Sequence, residues 1–129
     1  VGSRRALAAA LAAASALGLV QAFAVPGVLA HLLDLAGPLR WMVAAGLVLP
    51  LAFVLGMAFP SAMALTGSDG REILPWAWAV NGSASVVGSL GAVLLAMNFG
   101  YTATLVVGAA LYAAALAALA GFHAAQGAP

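Results

Sequence analysis

Cysteine and lysine are both missing from this 129-residue chain, and only four arginines and three carboxylates carry formal charge. Without thiols there is no disulfide framework, no thiolate metal site and no cysteine nucleophile. Charged residues make up 5% of the chain, against about a quarter in a soluble domain. So few cannot cover a globular surface. A net charge of +1 presents no basic surface to nucleic acid, which is not an expected partner. The two histidines, His31 and His123, lie far apart and show no metal-ligand spacing. There are no paired catalytic carboxylates, no phosphate-cradling glycine loop and no nucleophile–base arrangement. No catalytic residue, cofactor or metal is therefore expected, and whether the chain takes part in an enzyme is left open.

What remains is apolar: 66% of the residues are hydrophobic and the mean hydropathy is +1.16. Four apolar blocks, at about residues 6–25, 39–65, 75–97 and 101–122, are each long enough to cross roughly 30 Å of hydrocarbon as a helix. None has the period-2 alternation of a barrel strand. The expected fold is all-α: an integral membrane protein forming one transmembrane domain, a bundle of four helices with short loops.

Turn signals separate the blocks. Pro26-Gly27 is expected to end the first helix and Gly37-Pro38 to precede the second. Between them, VLAHLLDLA has the pattern of a short interfacial helix. Thr66 to Gly70 reads as a polar turn, and Pro75 suits a first helical turn. Asn98-Phe99-Gly100 reads as a tight link, making an antiparallel hairpin of the last two helices. Arg4, Arg5 and Arg71 then share one side of the membrane and Arg40 the other, which favours cytoplasmic termini. Trp41 and Tyr101 would anchor one interface, and Trp76 and Trp78 the other. Arg4-Arg5, an Ala/Leu core and Ala22-Phe23-Ala24 also have the outline of a cleavable signal. The length of that core and the three spans behind it favour a retained helix. An opening at Val1 rather than methionine fits a segment of a longer protein.

Within the third block, Asn81, Ser85, Gly88, Ser89 and Ala92 recur at helical spacing. An amide in hydrocarbon needs a partner inside the protein, and small residues let a second backbone approach closely. This face is expected to be a helix-packing seam, with Thr104 and Gly108 of the fourth block as its mate; the rival reading is a polar pathway. In the second block, Pro60 cannot bond to the carbonyl of Gly56 and is expected to bend the helix, as Pro50 is one decade earlier. Bent helices line substrate sites in transporters, and they also occur in plain packing.

Taken together, GMAFP (Gly56 to Pro60), LPWAWAVNG (Leu74 to Gly82), SVVGSLGAVLLA (Ser85 to Ala96), FGY (Phe99 to Tyr101) and ALYAAALAAL (Ala110 to Leu119) resemble the membrane-embedded portion of bacterial spermidine synthase-like proteins. The resemblance runs from about Trp41 to Leu119. It implies a C-terminal membrane part, in a bacterial inner membrane, that anchors or partners a soluble aminopropyltransferase-like domain. The bilayer, further transmembrane helices and that domain would be its partners. Two departures stand out. Ala62 occupies a position where the family pattern has glycine, and the aminopropyltransferase-like domain itself is not in this chain. No nucleotide or polyamine ligand can be carried over to any residue here. The alternative function is the helical part of a transporter for a polyamine-like small molecule.

Overall fold

The computed structural model describes residues 2–32, 36–65 and 72–126. Among these the chain forms three helices, α1 (Gly2–Leu32), α2 (Gly37–Met63) and α3 (Leu74–Gln126), each long and apolar enough to cross a membrane. The expected count of four is not met, because α3 carries through the Asn98-Phe99-Gly100 link. The expected polar turn, with Asp69 and Arg71, lies outside the described residues, as does Asp34.

α1 is also longer than expected. It runs through Pro26-Gly27, so Pro26 sits inside the helix and the separate interfacial helix is absent. A proline costs a membrane helix one backbone bond, and neighbouring turns absorb the loss. At roughly 1.5 Å per residue, α1 is about 46 Å long and outreaches the hydrocarbon. His31 falls in its last turn.

α2 starts without a side-chain cap: Ala36 is extended (φ −56, ψ 144) and Pro38 occupies the first turn, where its missing N–H costs nothing. Both Pro50 and Pro60 lie within the helix. Pro60 stands so close to the end that its own carbonyl accepts the N–H of Ala64, at 3.0 Å. Any bend there affects only the final turn.

The backbone of α3 is broken at one residue. Gly100 has φ 84 and ψ 169, a conformation open essentially to glycine alone. Asn98 and Thr104 brace the two sides, donating to the carbonyls of Leu94 (2.8 Å) and Gly100 (3.0 Å). The consequence is a reversal. Asn81 and Tyr112 line the same cleft, though a straight helix would hold them roughly 46 Å apart. Trp78, in the arm before Gly100, meets Phe59 of α2 edge-on at 5.0 Å. In the arm after Gly100, Ala109 lies against α1. The antiparallel arrangement expected around residue 100 is thus made by one non-helical residue, Gly100, between the two arms of α3.

The packing centre is α1, which contacts both other helices, while α2 and α3 touch only sparsely. Its buried residues are Leu7, Ala10, Leu11, Ala14, Gly18, Gln21, Ala22 and Val25, one continuous stripe at three- and four-residue spacing. Ala10, Ala14, Gly18 and Ala22 set four-residue steps of small side chains along it. In lipid there is no hydrophobic drive between helices, so close van der Waals approach and hydrogen bonds must hold them. A Cβ placed on Gly18 would come within 3.3 Å of the Ala109 side chain. Beside it, Ser15 donates a hydrogen bond to the Ala109 carbonyl at 3.0 Å. Elsewhere the surface is apolar: Trp41, Phe53, Val87, Leu94, Met97 and Phe122 are all exposed. Together with three helices long and apolar enough to cross a membrane, this exposed apolar surface suits a membrane-spanning protein.

Candidate functional site

The polar side chains inside the bundle are few, and each is positioned by small-residue packing or by a proline. Gln21 is the buried one. Its amide Nε2 donates to the backbone carbonyl of Leu47 in α2. That carbonyl lies in the turn that Pro50 disrupts, where the carbonyl of Gly46 has lost its own donor. Gln21 thus ties α1 to α2, as Ser15 ties it to α3. Reading the sequence missed Gln21. Its signal was that it is the lone amide of its apolar block and falls on the Ala10–Ala22 stripe.

Asn81 is half-buried. It lines a cleft of about 470 Å³ whose walls include Leu55, Phe59, Tyr112 and Leu119. The expected seam around it is not covered by this chain. Ser85, Gly88, Ser89 and Ala92 are exposed, and a Cβ on Gly88 would meet nothing within 4 Å. Ser85 and Ser89 satisfy themselves within α3, donating to the carbonyls of Asn81 (2.7 Å) and Val86 (3.0 Å). The expected mate is also displaced: Thr104 bonds to Gly100, and it is Leu105 and Ala109, not Gly108, that approach α1. Gly56 and Pro60 are exposed on α2, away from the Asn81 cleft. Trp41, Trp76, Trp78 and Tyr101 are exposed as well. Tyr101 shares a cleft with Val25 and Leu47, at the end of the bundle opposite the one where Arg4 meets Leu119.

Among the described residues, no group of three or more His, Cys, Asp or Glu is placed to hold a metal. None of the three helices contains a carboxylate in its sequence. Of the described polar side chains, Ser15 and Gln21 join helices across gaps, and the α3 hydroxyls bond within their own helix. Comparison of the chain with protein-family models, curated proteins and solved structures gave no match.

Proposed function

We propose that this chain is a membrane anchor: a helical domain that holds, or partners, an aminopropyltransferase-like domain at the surface of a bacterial inner membrane, with both termini cytoplasmic. The observation that carries the anchoring role is the contrast between well-made interhelical packing around α1 and the lack of carboxylates within the three helices. The soluble partner's identity rests on the resemblance of the GMAFP, LPWAWAVNG and SVVGSLGAVLLA segments. The exposed Asn81–Ala92 face supports a bundle that can take further transmembrane helices.

The transport reading draws on one observation, the cleft that Asn81 shares with Tyr112. A cationic polyamine crossing hydrocarbon would need carboxylates along its path, and the helices have none. Proteoliposomes test the two readings directly. The anchor reading expects no polyamine flux above empty vesicles; flux that Asn81→Leu abolishes would establish transport instead. Reading the coding sequence that flanks Val1 and Pro129 checks the partner. An adjacent aminopropyltransferase-like domain is the expected result, and a start codon at Val1 with a stop after Pro129 counts against it.

A further inference from the structure

At the end of the bundle where α1 begins, α2 stops and the second arm of α3 finishes, a cleft of about 600 Å³ opens. Its mouth carries Ser3, Arg4 and Arg5 from the first turn of α1. Its deeper wall is Ala8, Leu116 and Leu119, and no carboxylate lines it among the described residues. Polarity therefore changes along the bundle axis, from two guanidinium groups at the rim to aliphatic side chains one turn further in. The cleft at the opposite end, between Val25, Leu47 and Tyr101, has no charged residue among the described residues of its lining. The difference belongs to one membrane face.

From this gradient we infer that the Arg4–Arg5 cleft is a binding site for an anionic phospholipid. Guanidinium groups pair with phosphate oxygens through parallel hydrogen bonds. Basic pockets between transmembrane helices take acidic headgroups in this way. The leucine wall distinguishes the ligand from a free anion, because inorganic phosphate would leave that wall in contact with nothing. The volume lies within the range of ordinary small-ligand sites. The inference requires the bundle to sit in a membrane, and it is independent of any anchoring role.

The full chain in neutral detergent is titrated with phosphatidylglycerol and with phosphatidylcholine of the same acyl chains, and bound lipid is read by native mass spectrometry. Phosphatidylglycerol is expected to bind at least about tenfold more tightly, the scale of two arginines acting on one headgroup. Arg4→Gln together with Arg5→Gln removes that preference, whereas Arg40→Gln, at the start of α2, keeps it. Leu119→Trp, which fills the apolar wall without altering charge, weakens phosphatidylglycerol binding, and excess inorganic phosphate does not displace the lipid. Equal binding of the two lipids overturns the inference, as does an unchanged preference in the double variant. Displacement by inorganic phosphate would make it a free-anion site. Should the double variant fail to fold, the two-lipid comparison and the phosphate competition on the wild-type chain still decide the matter.

Discussion

Two stretches of this molecule use the same alphabet at the same spacing and end in opposite environments. In α1, Ala10, Ala14, Gly18 and Ala22 form a buried stripe, with Ser15 and Gln21 reaching across it to other helices. In the first arm of α3, Ser85, Gly88, Ser89 and Ala92 form an equally regular stripe that the rest of the chain leaves exposed. The difference lies in where the polar atoms go. Ser15 and Gln21 bond to backbone carbonyls in other helices, while Ser85 and Ser89 bond back to their own. Small residues permit close approach; hydrogen bonds that cross the gap mark where it has taken place.

The sharpest way to break this contrast is to enlarge the glycine in each stripe. Gly18→Leu is expected to cost about 1–3 kcal/mol, because a side chain there drives into Ala109. Gly88→Leu should change stability by less than about 0.5 kcal/mol, since it projects into open space. Reversible unfolding in mixed micelles, followed by tryptophan fluorescence, measures both. A large loss in Gly88→Leu would reveal a partner on that face.

The amides come next. Gln21→Leu removes the amide's bond to the Leu47 carbonyl of α2 and should cost about 1 kcal/mol, somewhat above the average for interhelical bonds in lipid. Asn81→Leu, at a half-buried site with no bond to another helix, should cost markedly less in the same assay. Equal losses would mean that the Asn81 amide holds the bundle together as firmly as Gln21 does.

The hydroxyls give the smallest effect. Ser15→Ala should lose about 0.6 kcal/mol, the average for a membrane interhelical hydrogen bond. Ser85→Ala should lose nothing, because a serine that bonds back to the preceding turn slightly weakens its own helix. A stabilising Ser15→Ala would contradict the bridging role of that hydroxyl.

The helices were legible in the sequence because length and hydropathy alone decide them. Apolar blocks at 39–65 and 75–97 differ by only a few residues from the start and end of α2 and the start of α3. The stops were less legible. Pro26-Gly27 breaks a helix in water, where a freed carbonyl finds solvent, and does not break α1 in an apolar setting. Gly100 was visible as a turn, yet not as a reversal made by a single non-helical residue between two helical arms. The packed face was not legible. Asn81 drew attention because an amide in an apolar run is conspicuous. Ala10, Ala14 and Ala22 did not, because alanine in a helix carries no signal until a partner lies against it. Burial is a property of pairs, and one strand of text shows only half of each pair.

The bond between Ser15 and Ala109 joins positions 94 apart, and it has a bearing on how the protein is made. During synthesis and insertion α1 enters the bilayer well before residue 109 exists. Its small-residue stripe must pass that interval against lipid tails or against the insertion machinery. Gln21 can find Leu47 early, once α2 has followed α1 in. Ser15 and Gly18 cannot be covered until the chain has turned at Gly100 and sent its last arm back. The helix that organises the bundle is therefore threaded before the other two and enclosed only at the end, and errors of insertion anywhere between would leave it uncovered.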